Sequence, residues 1–253
     1  MAVVAILTNE TMNRHDFRTE TGRQVTAVTA AEMREVDRVA VEEFGVSLLQ
    51  MMENAGRNLA EQVREAGSEP VVVLAGNGGN GGGGLCTARH LVNREVAVSV
   101  VLDRPPERLD GAARTQYETL AAMGVPVNVG VDALAERDPA TVVDALVGYG
   151  LDGPLRGTAR DLVHEIATRD VTVVSLDVPS GMVATTGERP GSAIEPDRVL
   201  TLALPKTGLA EFRGDLYLGE IAIPAGVYHS LDIPYSNPFE DEYWVELVPE
   251  PGT

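Results

Sequence analysis

Apolar and polar positions change period once along this chain. Between residues 29 and 67 the spacing is helical. Thr29 and Glu32 stand at capping-box spacing, Met33, Val36, Ala40 and Phe44 form an apolar stripe, and Gly45 supplies a stop. Ser47 and Gln50 repeat the capping box, Leu48, Met52, Ala55, Leu59 and Val63 make a second stripe, and Gly67 ends it. From Pro70 onward short β-branched runs take over, at 71–75, 96–102, 141–147, 171–178 and 199–204. They are nearly continuous in apolar residues, as strands of a parallel sheet covered on both faces should be. Helical segments at 85–93, 110–123 and 158–168 separate most of them. The alternation predicts an α/β protein, a three-layer αβα Rossmann-like fold with a mostly parallel central sheet. Two further candidate strands, 216–223 and 243–248, are expected at a sheet edge. Residues 1–25 carry little pattern after a short apolar start and read as a flexible N-terminal arm; residues 26–253 read as one domain.

Composition narrows the classes of function. The net charge of −18 repels phosphate backbones, which argues against nucleic-acid binding. It suits either a protein that stays hydrated in concentrated salt or an acidic protein from a GC-rich genome. No run approaches the ~18 apolar residues of a membrane helix, and residues 1–7 are too short for a signal peptide. A cytoplasmic location is the expectation. The one cysteine, Cys86, excludes an intramolecular disulfide and reads as a small packing residue on a helix.

In an open α/β sheet ligands sit beyond the carboxyl ends of strands, so the segments after the strands come first. Residues 76–84 hold seven glycines in nine positions. Such a segment lets a ligand approach the backbone, with N–H groups and a helix N-terminus facing an anion. Residues 76–81 satisfy G-x-G-x-x-G, with Asp103 at the end of the next strand. A second segment runs Gly148, Tyr149, Gly150, Leu151, Asp152, Gly153, Pro154. The strand before it carries Asp144 in an apolar run, where a carboxylate needs a metal ion or N–H donors. A third, Asp177-Val178-Pro179-Ser180-Gly181, is a turn able to present Asp177 and Ser180 to the crevice. Lys206 is the single lysine of the chain, which hints at a specific task such as contacting a phosphate. The histidines show no metal-ligand spacing, and no P-loop pattern is present.

These motifs, together with Met51-Met52-Glu53-Asn54-Ala55-Gly56, Ala88-Arg89-His90-Leu91 and Pro205-Lys206-Thr207-Gly208-Leu209, resemble the YjeF N-terminal-domain family in family order, from about residue 26 to about residue 248. The family comprises NAD(P)H-hydrate epimerases, apolipoprotein A-I binding protein among them. The resemblance implies interconversion of the R and S epimers of hydrated NADH and NADPH, so that a separate dehydratase can restore the cofactor. It implies Asp177 as the acid/base catalyst and a potassium ion held by Asn80, Asp144 and Ser180. It places substrate on Gly79, Asn80, Gly81, Gly82, Gly83, on Gly148, Tyr149, Gly150, Leu151, Asp152, Gly153, Pro154, and on Asp177 and Lys206. A homodimer is compatible with it. The glycine segment departs from the family, which reads Asn-Asn-Gly-Gly-Asp-Gly: the first asparagine is Gly79 here, and the aspartate, the departure that matters, is Gly83. That departure keeps open a catalytically weakened nucleotide-binding or scaffold protein of the same fold. An ordinary NAD-dependent dehydrogenase would need a hydride-transfer site with a proton donor, and none is visible.

Overall fold

The computed structural model describes residues 17–249. One sheet of ten strands runs through it, with β1 (Phe17–Thr19), β2 (Gln24–Val25) and β10 (Trp244–Pro249) at one side, in the order β2-β1-β10-β9-β8-β7-β6-β3-β4-β5. Its parallel part comprises β3 (Val71–Ala75), β4 (Val98–Leu102), β5 (Val127–Val129), β6 (Thr141–Ala145), β7 (Thr172–Leu176), β8 (Arg198–Leu202) and β9 (Asp215–Gly219). Helices α1 (Ala30–Glu42), α2 (Leu48–Ala66), α3 (Gly79–Val92), α4 (Gly111–Ala122), α5 (Gly130–Ala135), α6 (Gly157–Ile166) and α7 (Ala225–Ser230) complete the fold.

The apolar runs are continuous because both faces of the sheet are buried. Val71, Val73 and Ala75 pack with Leu59 of α2, with Leu85 and Leu91 of α3 and with Leu120 of α4. The alternate residues Val72 and Leu74 pack with Leu134 of α5 and with Leu162 and Ile166 of α6 on the opposite face. The result is the expected three-layer α/β architecture. From β3 the chain moves outward to β4 and β5, then returns to lay β6, β7, β8 and β9 on the other side. The connections leaving β3 and β6 therefore diverge, which opens a crevice beyond their carboxyl ends.

Both capping boxes form, Thr29 with Glu32 and Ser47 with Gln50. Helix α1, however, stops at Glu42, so Phe44 falls outside its stripe and is 44% exposed; Leu48 is equally exposed at the start of α2. Cys86 is fully buried on α3, where burial pushes its thiol pKa up to about 12.

Two expectations need correction. The edge beyond β9 is not formed by β9 and β10 (Trp244–Pro249), because β1 (Phe17–Thr19) and β2 (Gln24–Val25) add outside β10. Phe17 and Val25 are buried with Leu216, Leu247 and Phe239, so residues 17–25 of the expected arm are part of the sheet. Residues 1–16 lie outside the described residues. An otherwise open strand edge is satisfied by this N-terminal pair.

The second correction concerns the glycine segment. It is largely helix, since α3 begins at Gly79 rather than near residue 85. Its glycines allow close packing: a Cβ on Gly81 would strike the Gly76 carbonyl oxygen, and one on Gly84 would strike the Ala145 Cβ. The Gly76 oxygen is backbone at the end of β3 and cannot swing away. Gly81→Ala should therefore destabilise the protein by about 1–3 kcal/mol or more, seen as a lower urea midpoint.

Candidate active site

A cavity of about 540 Å³ opens at the diverging connections. Its floor and one side come from the start of α3 (Gly78, Gly79, Asn80, Gly83), the segment after β6 (Gly148, Tyr149, Gly150), and the ends of β7 and β8 (Asp177, Leu202, Lys206). The other side is built by α1 and α2, through Met33, Arg34, Asp37, Met51 and Met52. The N-terminus of α3 has no side-chain cap, so its free N–H groups face this space as a partial positive charge.

Asp177 is the most constrained residue of the site. It sits one position past β7 with φ of +68°, a left-handed conformation that few non-glycine residues adopt without support. The support comes from its carboxylate. Lys206 Nζ pairs with Oδ1, Leu202 N donates to the same oxygen at 3.4 Å, and Tyr149 N donates to Oδ2 at 3.2 Å. Lys206 also donates to the Leu202 carbonyl at 2.9 Å. Lysine and aspartate are 1% and 5% exposed, so the ion pair is buried at the cavity wall. The single lysine is thus held by a carboxylate, an arrangement its sequence position alone does not reveal.

Asp144 lies fully buried on β6, below the cavity lining. Ser175 Oγ and Ser180 N each donate to one oxygen at 2.8 Å, and Ser180 Oγ and Leu146 N donate to the other at 2.5 and 3.4 Å. Burial raises its pKa and these hydrogen bonds lower it. Ser180 is equally buried and accepts from Val147 N at 3.0 Å, so it points into the protein rather than into the open crevice. Asn80 reaches the cavity, yet its amide nitrogen is buried without a hydrogen-bond partner. Gly148 is what lets it approach: a Cβ there would stand 3.0 Å from Asn80 Oδ1 and 3.2 Å from Asp177 Oδ2. The oxygens of Asn80, Asp144 and Ser180 are hard donors of the kind an alkali cation takes, whereas the orphaned Asn80 nitrogen is itself a hydrogen-bond donor and no ligand.

Other sequence-predicted residues fall elsewhere. Gly81 and Gly82 are buried packing positions of α3, and Leu151, Asp152, Gly153 and Pro154 do not reach the cavity lining. Asp103 is held by both ends of the Arg104 guanidinium, at 2.8 and 2.9 Å, and only Arg104 lines the cavity.

Sequence reasoning missed Asp37. Its partly buried carboxylate lines the cavity from α1 and accepts a hydrogen bond from the Tyr149 hydroxyl. Burial pushes its pKa above the usual carboxylate range, against the opposing pull of that hydroxyl. A signal existed: Asp37 stands four residues after Met33 and three before Ala40, on the apolar face of the helix.

Comparison with known proteins agrees with this geometry. Residues 48–208 match the family described as YjeF-related protein N-terminus. An NAD(P)H-hydrate epimerase of Dehalogenimonas lykanthroporepellens is 41% identical over 242 residues, spanning 92% of this chain and 97% of the relative. A bifunctional NAD(P)H-hydrate repair enzyme of Salinibacter ruber is 37% identical over 214 residues, 78% of this chain and 40% of that protein. The crystal structure of yeast ynu0 superposes with a TM-score of 0.75 at 25% identity, covering 89% of this chain and 100% of the yeast chain. The chain belongs to the YjeF-related protein N-terminus family.

Proposed function

We propose that this protein is an NAD(P)H-hydrate epimerase, an isomerase that interconverts the R and S epimers of hydrated NADH and NADPH for cofactor repair. Relatives of nearly the same length carry that name. The observation that carries the reading within this chain is the buried Asp177–Lys206 pair on the wall of the cavity. The reacting carbon, C6 of the hydrated nicotinamide ring, bears a hydroxyl and the ring nitrogen. Acid-assisted loss of that hydroxyl leaves a planar cation stabilised by nitrogen, and water can return from either face. A carboxyl group serves both directions, as proton donor and then acceptor. Asp177 takes this role, and Lys206 with the amides of Tyr149 and Leu202 fixes its orientation.

Substrate lies along the uncapped start of α3 and the Gly148–Tyr149–Gly150 segment, with Lys206 beneath. Asn80, Asp144 and Ser180 would hold a potassium ion. When bound, its charge offsets the buried Asp144 carboxylate and ties three connections together. Residues 17–249 act as one domain in the cytoplasm, with a dehydratase as the functional companion. Homodimerisation is compatible with this reading, and neither nucleic acid nor membrane is a partner. Among the described residues no helix is long and apolar enough to cross a membrane.

Gly83 lines the cavity where the family aspartate stands. This position is the specific point in favour of a weakened binding protein. Pure (R)-NADHX incubated with the purified protein, in potassium and then in sodium, separates the two readings. Conversion well above the spontaneous rate, and slower in sodium, is the expected outcome. Folded, ligand-binding protein with no acceleration would leave only the binding function.

A further inference from the structure

Epimerisation through a planar cation makes a demand that one carboxylate meets poorly. A proton must be delivered on the face the hydroxyl leaves, and another removed on the face water enters. The cavity holds a second carboxylate suited to this. Asp37 projects from α1, while Asp177 projects from the end of β7, and both line the same space. Tyr149 spans the gap between them: its backbone N–H donates to Asp177 Oδ2 at 3.2 Å, and its hydroxyl donates to Asp37 Oδ2. Its ring is flanked by Arg34, 6.0 Å from the centroid, and by Lys206 at 5.7 Å.

Resting on the epimerase reading above, we propose that Asp37 is a second catalytic residue, transferring a proton on the ring face opposite Asp177, with Tyr149 as the positioning residue that sets the two carboxylates apart. For one epimer, the Asp37 carboxyl gives its proton to the C6 hydroxyl oxygen. The C6–O bond breaks with its electron pair leaving on that oxygen as water, and the nitrogen lone pair forms the N1=C6 bond. A second water then donates its lone pair to C6 from the other face, the N1=C6 pair returns to nitrogen, and Asp177 takes the proton. One water leaves and one enters, with no change of oxidation state. The other epimer follows the same path backwards, with the two roles exchanged.

The surroundings suit this division of labour. The groups facing Asp37 are the Tyr149 hydroxyl, Lys206, Asp177 and Tyr228 of α7, with Arg34 one turn away on its own helix. Burial outweighs the lowering effects of Tyr149 and Lys206, and Asp177 adds to the rise, so the carboxyl keeps its proton to higher pH than usual. Asp177 instead has a lysine directly on its carboxylate. The two carboxyl groups are thus held differently, one by a tyrosine hydroxyl and the other by a lysine and two backbone N–H groups.

The test combines epimerisation with oxygen exchange in ¹⁸O-water, starting from each pure epimer. Asp37→Asn should slow epimerisation by about 100-fold or more. It should also retain ¹⁸O incorporation, without inversion, into the one epimer whose hydroxyl faces Asp177. Asp37→Glu, which restores a proton-bearing group, should recover part of the lost rate. Asp37→Asn protein that epimerises within about threefold of wild type overturns the proposal. So does equal loss of epimerisation and exchange, which would make Asp37 only part of the pocket wall. Should Asp37→Asn not fold, the pH profile decides. Wild-type activity must fall as pH rises through a raised carboxyl pKa, and Asp37→Glu must move that limb; an unmoved limb overturns the idea. Wild-type protein that neither epimerises nor exchanges refutes the epimerase reading itself.

Discussion

Asp177→Asn lowers the rate of epimer interconversion by about 10²- to 10⁴-fold, the usual contribution of a positioned acid/base group. Asparagine removes the titrating proton while keeping the shape and the left-handed backbone, a conformation that it tolerates better than most residues. With φ at +68° in the native chain, Asp177→Ala would add backbone strain and confuse chemistry with folding. With its one amide oxygen on the Oδ1 side, the asparagine variant can still accept from Leu202 N and Lys206, while the amide nitrogen that replaces Oδ2 gives up only the bond from Tyr149 N. The deficit should therefore appear in kcat, with substrate affinity changed far less. Chromatography of the R and S epimers over time checks it. A kcat within about tenfold of wild type would remove Asp177 from the proton-transfer role.

Lys206→Met should have the largest effect on stability. It removes the partner of a carboxylate that is 5% exposed, leaving a charge with little access to water. Breaking a buried pair from one side costs about 3–5 kcal/mol. In a protein of this size that lowers Tm by roughly 6–20 °C. The remaining donors, Tyr149 N and Leu202 N, point to the lower half of that range. The double variant Asp177→Asn/Lys206→Met reports on the coupling between the two charges. With both charges gone, the double variant should regain part of the stability that Lys206→Met alone loses. Additive losses in the two changes would show that the pair is not energetically coupled. Denaturant melts of the four proteins supply the cycle.

How legible the molecule is from its residues depends on how local the signal is. Five core strands and their helices could be read because burial on both faces leaves runs such as 71–75 and 141–145 without a polar interruption. Capping boxes are local too, each closed within four residues, and both are present where the spacing places them. β5, α5 and α7 went unread because they are three to six residues long, too short to show a period. The glycine segment misled for a different reason. Glycine has low helix propensity, yet tertiary packing against Ala145, Met52 and the Gly76 carbonyl requires its missing Cβ and overrides that preference.

By itself, the order of residues determined the fold class, the order of the parallel elements, the crevice beyond their carboxyl ends, and the family motifs around Asp144, Asp177 and Lys206. Each of these follows from local periodicity, turn chemistry or a short contiguous motif. Only the tertiary structure decided how those motifs meet. It placed Lys206 on Asp177, turned Ser180 inward onto Asp144, drew β1 onto the sheet edge, and brought Asp37 from α1 to the cavity through Tyr149. Asp37 and Tyr149 are separated by 112 positions along the chain. Nothing in the residues between them encodes a hydrogen bond. It exists because α1 is packed over the carboxyl end of the sheet by Met33, Val36 and Ala40, whose burial with Ala203, Leu204 and Ile221 sets the position of a carboxylate on the same helix.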